Sequence, residues 1–270
     1  MLMKPVTIVT GATGAIGKAI ARQMAENGYE VIMICRNAQK AEAARKEIIQ
    51  TTKNQNVFVE IADLSRLSGI KSLAARMQAP VFSLINNAAA TPMSREETAD
   101  GIEMQFAANV LNYFWMSLAF RPHLKKAASD NRSARIVNVA SFWAGDLDLN
   151  DLEFKKRRYS NNTAYRQSRQ ANRMLTAAFA EKFKGDGITV NSCHPGEVNS
   201  ALSNSMGFGG RHSPDQGAQT PVWLATSDDV ENITGKWFSS FKSEPCPFSR
   251  DKAAIEELYG ICEKYSKEIL

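Results

Sequence analysis

Tyr165 and Arg169 stand four residues apart in Tyr165-Arg166-Gln167-Ser168-Arg169, a spacing that puts a phenol and a cation on one face of a helix. A free tyrosine, with a pKa near 10, is a poor base at neutral pH. A unit charge about 4 Å away, at an effective dielectric of about 20, favours the phenolate by roughly 4 kcal/mol before desolvation offsets it. A phenol in that setting suits general acid–base transfer. It would give its proton to a substrate oxygen in carbonyl reduction, or take one in alcohol oxidation. A lone serine, Ser141, follows the apolar run Val137-Asn138-Val139-Ala140 and would hold the same oxygen through its hydroxyl. Arg169 would contact a nicotinamide ribose while polarising the phenol.

Such chemistry needs a hydride carrier, and a place for one is written near the start of the chain. Thr10-Gly11-Ala12-Thr13-Gly14-Ala15-Ile16-Gly17 joins a β-branched run to a helical period. Glycines there permit a tight turn and let backbone amides approach a pyrophosphate, while the helix N-terminus adds N–H groups and a favourable dipole. Three glycines alone are weak evidence; their place between the first strand and the first helix favours a dinucleotide site over a packing turn. The next strand ends Ile34-Cys35-Arg36-Asn37, with no acid until Glu42. A carboxylate at that point would accept from a ribose 2′-hydroxyl, whereas an arginine pairs bidentately with a 2′-phosphate. NADP is therefore the expected cofactor, NAD the lesser alternative, and a merely solvated Arg36 the competing reading. Asp63, closing the third strand ahead of Leu64, either accepts from the adenine amino group or caps the helix that starts near Ser65.

Short apolar runs alternate with helical periods along the whole chain. Strands are expected at Val6–Thr10, Glu30–Cys35, Asn56–Ile61, Val81–Asn86, Arg135–Ala140 and Gly187–Cys193, with a last one at Lys236–Phe238. Helices are expected at about 16–28, 38–53, 66–78, 100–127, 162–184, 214–227 and 250–267. Continuous apolar strands mean a sheet covered on both faces, and strict alternation means a doubly wound, Rossmann-type parallel α/β sheet. No repeat or linker divides residues 1–270, so one domain is expected. Two loops, Phe142–Asn161 and Gly196–Ser213, are too long for simple connectors and follow strand carboxyl ends, where such sheets bind ligands. The second, rich in glycine, serine and asparagine, reads as a flexible substrate loop.

The composition agrees, with 44% hydrophobic and 23% charged residues over 270 positions and a net charge of +5. That balance suits an anionic ligand and is too mild to demand nucleic acid. The four cysteines form no CxxC pair, and the three histidines are too scattered for a metal set, so neither disulfides nor a metal site is expected. With no charged leader and no long apolar stretch, the expectation is a soluble, cytoplasmic chain without a membrane partner. Lys155-Lys156-Arg157-Arg158 lacks interleaved aromatics and reads as a solvated loop face.

The ordered motifs together resemble the short-chain dehydrogenase/reductase family over essentially the whole length, most of all the branch with retinol dehydrogenases and the WW-domain oxidoreductase. The matching elements are the glycine turn, Asp63-Leu64, Asn86-Asn87-Ala88-Ala89, Asn109, Ser141, Tyr165, His194-Pro195-Gly196 and Gly235-Lys236-Trp237-Phe238. The resemblance implies that Asn109 kinks its helix and holds a relay water, and that Asn87, Ala88 and Ala89 line the adenosine ribose. It further implies that Pro195, Gly196, Val198 and Ser200 meet the nicotinamide end. Many relatives pair as dimers or tetramers through the helices near 100–127 and 162–184, so a homodimer or homotetramer is an expectation. Three positions depart from the pattern: Gly14 where the family places its glycine at Ala15, Ala89 for glycine, and Arg169 for lysine. The last exchange keeps the charge but replaces a compact ammonium by a planar fork. Two functions follow: an NADP-dependent oxidoreductase of small, apolar carbonyl or alcohol substrates, or an NADP-binding protein with weak or no turnover. Phe142, Trp143 and Phe208 are candidates for the apolar substrate wall.

Overall fold

The β-branched runs form a single eight-stranded sheet in the order β3-β2-β1-β4-β5-β6-β7-β8. The computed structural model describes residues 4–128 and 132–266. The strands are β1 (Val6–Thr10), β2 (Glu30–Cys35), β3 (Val57–Ile61), β4 (Ser83–Asn86), β5 (Ala134–Val139), β6 (Ile188–His194), β7 (Trp237–Ser239) and β8 (Lys242–Glu244). Every neighbouring pair is parallel except β7 and β8, which run antiparallel. Helices α1 (Ala15–Glu26), α2 (Ala38–Thr52) and α7 (Pro214–Thr226) cover one face; α3 (Leu67–Arg76), α4 (Asn112–Ala127) and α5 (Asn161–Lys182) cover the other. Within β1, Ile8 packs into the second layer and Val9 into the first, as period-two side chains must. The chain leaves β1 for β2 on one side and reaches β4 on the other, so a crevice opens at their carboxyl ends.

Four local features differ from the sequence expectation. The helix expected from 100 starts later, and its first full turns, Phe106–Leu111, are a π-helix ahead of α4. The loop expected at Gly196–Ser213 contains a short helix, α6 (Ala201–Ser205), opened by a reciprocal Ser200–Ser203 capping box. The sheet gains β8, a fully exposed polar strand. The last helix, α8, spans Lys252–Lys264, and position 267 of the expected helix lies outside the described residues. The basic run 155–158 is a turn wound about an acid: the Asp151 carboxylate accepts the N–H groups of Lys155 (2.7 Å) and Arg157 (2.9 Å).

The helices expected to pair with another copy, α4 and α5, both pack against α8. Tyr259 of α8 packs edge-on against Phe114 (4.9 Å) and Phe179 (5.6 Å), and Trp115 Nε1 donates to Ser266 Oγ at 3.0 Å. None of the described helices is long and apolar enough to cross a membrane.

Candidate active site

The crevice at the reversal of strand order is a cavity of about 550 Å³. Gly11, Thr13, Gly14, Ile16 and Gly17 line it from the first turn; Arg36, Asp63 and Leu64 line it from the ends of β2 and β3. Asn87, Ala88 and Ala89 contribute from the end of β4, Tyr165 and Arg169 from α5, and Pro195 and Ser200 from beyond β6. Gly11 needs its left-handed φ of 66°, and a Cβ there would stand 2.8 Å from Ala88 Cα. At Gly17 a Cβ would meet the Gly11 carbonyl oxygen at 2.3 Å and Asn87 Nδ2 at 2.6 Å. Gly14 is far less crowded, its nearest contact being 3.3 Å, so the turn closes without a glycine at Ala15. Asn87 fastens the far wall: its Nδ2 donates to the Thr10 carbonyl (2.9 Å), and its N–H donates to Thr10 Oγ1 (2.8 Å).

These surroundings fit a dinucleotide. The N-terminus of α1 has no side-chain cap and no acid in its first turn, which leaves its N–H groups to an anion. Arg36 is exposed at the cavity edge beside Lys40, at the start of α2, and Glu42 is engaged by Arg45 at 2.9 Å. Asp63 does not cap a helix, because α3 starts only at Leu67 behind Arg66 and has no side-chain cap; its Oδ1 instead accepts Ser65 N–H (3.0 Å) and Ser65 Oγ (2.7 Å) in the turn before α3, while the residue still lines the cavity.

At the other end of the cavity the guanidinium of Arg169 lies over the ring of Tyr165. Its guanidinium carbon is 4.8 Å from the centroid of the phenol ring, and the residue is 4% exposed. Burial opposes its charge, but the hydroxyls of Tyr165 and then Tyr113 outweigh that and hold its pKa above the ordinary arginine value. Nη1 donates to Asn172 Oδ1 at 3.1 Å and, more weakly, to the Val139 carbonyl at 3.4 Å. The same carbonyl accepts the Tyr113 hydroxyl at 3.0 Å. Burial pushes the Tyr113 phenol up to about 12, against the pull of Arg169, so this second phenol stays protonated. Val139 closes β5, so the guanidinium is tied to the strand end that leads into Ser141. Ser141 is buried, and its Oγ accepts the Trp143 N–H at 3.1 Å.

Asn109 sits inside the π-helix with no exposed surface. Its side chain exchanges two hydrogen bonds with Ala90, accepting the N–H at 2.8 Å and donating to the carbonyl at 3.0 Å. Its main-chain carbonyl accepts Asn172 Nδ2 at 2.8 Å. Neither Asn109 nor Ser141 is among the residues lining the cavity; each directly follows one that is, Ala108 and Ala140. Gly196 and Val198 are also absent from the lining. Val198 is buried at 4% and packs where a Cβ on Gly217 would come within 2.4 Å of it, and Gly196 abuts the His212 ring.

Of the three aromatics expected to form a substrate wall, only Trp143 packs on the phenol, and none of the three is among the residues lining the cavity. Trp143 packs 5.9 Å from the Tyr165 ring and takes Phe208 edge-on at 4.5 Å; Phe142 meets His194 edge-on at 4.8 Å. Phe142 and Phe208 are each 56% exposed. Burial, then His212 and Arg173, lowers the His194 pKa to about 4, so this imidazole is neutral near pH 7.

Sequence reasoning missed Lys40, Asn112, Tyr113 and Asn172. Asn172 carried a signal, lying one helical turn (i, i+3) from Arg169 on α5, while Lys40 lies in the first turn of α2, four residues past Arg36. Tyr113 reaches Arg169 only through the packing of α4 on α5.

Comparison with known proteins agrees with this architecture. The short chain dehydrogenase family model matches residues 5–207. Retinol dehydrogenase 13 of Homo sapiens is 33% identical over 274 residues, covering 94% of this chain and 82% of the relative. Retinol dehydrogenase 12 of Homo sapiens is 35% identical over 281 residues, covering 96% and 85%. A crystal structure of an uncharacterised protein from Mycobacterium paratuberculosis superposes with a TM-score of 0.81 at 27% identity, over 97% of this chain and 93% of that one. The chain belongs to the short-chain dehydrogenase family of oxidoreductases.

Proposed function

We propose that this chain is an NADP-dependent oxidoreductase of apolar carbonyl and alcohol substrates, with Tyr165 as the general acid and base. The carrying observation is the guanidinium of Arg169 held against the Tyr165 ring at the edge of a glycine-cradled cavity. The cofactor, when bound, supplies or accepts the hydride. Tyr165 moves the proton at the substrate oxygen, and Ser141, adjoining the lining residue Ala140, would hold that oxygen through its hydroxyl. Arg169 stays cationic throughout, since a guanidinium does not give up its proton in a protein, and places a fixed charge against the ring of Tyr165. Arg36 and Lys40, flanking the start of α2 where the next acid along the chain, Glu42, is paired with Arg45, suit a 2′-phosphate. Trp143, packed on the phenol, suits an apolar body attached to the reacting carbon. The relatives' name, retinol dehydrogenase, is in keeping with an apolar alcohol.

The test is NADPH consumption against a panel of aldehydes, ketones and quinones by the wild type and Arg169→Lys. Turnover by the wild type upholds the proposal. A silent wild type that still binds NADPH, beside an active lysine variant, would leave a cofactor-binding protein without catalysis. For the cofactor, Arg36→Ser should reduce the preference for NADPH over NADH by about tenfold or more, about 1.4 kcal/mol. An unchanged preference would refute the NADP assignment.

A further inference from the structure

Asn172 is buried at 1% and spends both ends of its amide. Oδ1 accepts from Arg169 Nη1 at 3.1 Å, and Nδ2 donates to the Asn109 carbonyl at 2.8 Å. Its own main-chain carbonyl accepts Thr176 Oγ1 at 2.8 Å, and that hydroxyl accepts Asn138 Nδ2 at 3.0 Å. The amide orientation is therefore fixed: swapping its oxygen and nitrogen would set two donors and two acceptors face to face.

We infer that Asn172 is a positioning residue for the reaction at Tyr165, orienting the Arg169 guanidinium over the phenol ring and occupying the Asn109 carbonyl. This rests on the reading of Tyr165 as the acid and base. The need for such a residue follows from the arginine itself. A guanidinium is a planar fork whose value depends on its orientation, whereas an ammonium is a point charge that needs none. Nε of Arg169 is buried without a protein partner, and the fork is held by the Nη1 bonds together with the hydroxyls of Tyr165 and Tyr113. At Nη1 the Val139 carbonyl is the longer contact, at 3.4 Å, and is shared with Tyr113; Asn172 is the shorter one. The second bond of Asn172, to the π-helix, anchors that acceptor to the wall opposite α5. A guanidinium that keeps its proton and an amide that does not titrate make the interior side of the site a rigid support.

The test is a cycle of substitutions read by turnover of an aromatic aldehyde, NADPH affinity by nicotinamide fluorescence, and melting temperature. Asn172→Leu, similar in size but without either bond, should lower kcat by about 30-fold and weaken NADPH binding by about threefold. Asn172→Asp, which keeps the acceptor for Arg169, should hold kcat within about fivefold of the wild type. In the Arg169→Lys background, Asn172→Leu should change kcat and affinity by less than about twofold, because an ammonium needs no orienting partner. Equal losses in both backgrounds would overturn the inference and mark Asn172 as packing alone; so would a wild-type kcat in Asn172→Leu. Should Asn172→Leu not fold, Asn172→Ser carries the same comparison. If the wild type reduces no carbonyl at all, the function proposed above fails by that observation, while the affinity arms still decide whether Asn172 acts through Arg169.

Discussion

The guanidinium of Arg169 sits over the ring of Tyr165, 4.8 Å from its carbon to the ring centroid, with both residues on one face of α5. The helix sets this relation, so removing the hydroxyl alone leaves charge and ring in place. Tyr165→Phe should bind NADPH within a few-fold of the wild type and lose about 10²–10⁴ in kcat. Steady-state kinetics beside a fluorescence titration separate the two effects. A phenylalanine variant with wild-type turnover would reassign the proton donor.

The first turn makes a sharper distinction between its glycines than its spacing suggests. A methyl on Gly17 would press into the Gly11 carbonyl oxygen at 2.3 Å, and main chain cannot swing aside as a side chain can. Gly17→Ala should lose measurable NADPH binding and destabilise the fold by about 1–3 kcal/mol. Gly14→Ala, whose new methyl would meet its nearest neighbour at 3.3 Å, should bind within about fivefold of the wild type. Fluorescence titration and thermal melts check both. Two variants that behave alike would mean that the cradle yields more than its packing indicates.

Much of this arrangement was legible in the chain because its elements are locally consistent. The strands are apolar runs bounded by turn residues, and the functional positions fall at their carboxyl ends, so Gly11, Arg36, Asp63 and Asn87 could be placed from order alone. What escaped notice has physical causes. β8 is Lys242-Ser243-Glu244, a polar triplet held to the sheet by main-chain pairing with β7 and not by burial. The π-helix shares its composition with an α-helix, and only the hydrogen-bond pattern around Asn109 separates them. The capping box that starts α6 lies in a stretch of serine and asparagine that reads equally well as loop. The partners of Arg169 come from β5 and α4 as well as α5, and contacts between elements distant in sequence leave no periodic trace. The packing of Tyr259 on α4 is invisible for the same reason.

Trp143 bridges the phenol and the exposed Phe208, so it is the aromatic most able to sense a substrate's apolar body. Trp143→Ala should raise KM for a bulky aromatic aldehyde by about 10-fold or more, with a much smaller change for a two- or three-carbon aldehyde. The comparison of the two KM ratios is the measurement. A parallel rise for both would show that Trp143 shapes the Tyr165 site as a whole and not an apolar subsite.

Glu103 is wholly buried, and its carboxylate accepts the N–H groups of Gln105 (2.9 Å) and Phe106 (2.7 Å), where the chain enters the π-helix that carries Asn109. Burial raises its pKa to about 7, the two N–H groups and Arg95 pull it down, and the neighbouring Glu153 adds repulsion. A carboxyl raised above its unfolded value of about 4.3 makes the folded state the better proton binder. Its contribution to stability is therefore fully present below about pH 4.3 and is lost as pH climbs through about 7. Glu103→Gln keeps one oxygen to accept an N–H group and does not titrate. Relative to the wild type, the glutamine variant should gain on the order of 2 kcal/mol between about pH 5 and about pH 8, whichever protein is the more stable at either end. Urea unfolding at the two pH values gives that difference directly. A flat difference would mean that the paired N–H groups, and not burial, set the charge of Glu103, and that the entrance to the π-helix is anionic throughout the range in which the proposed reaction runs.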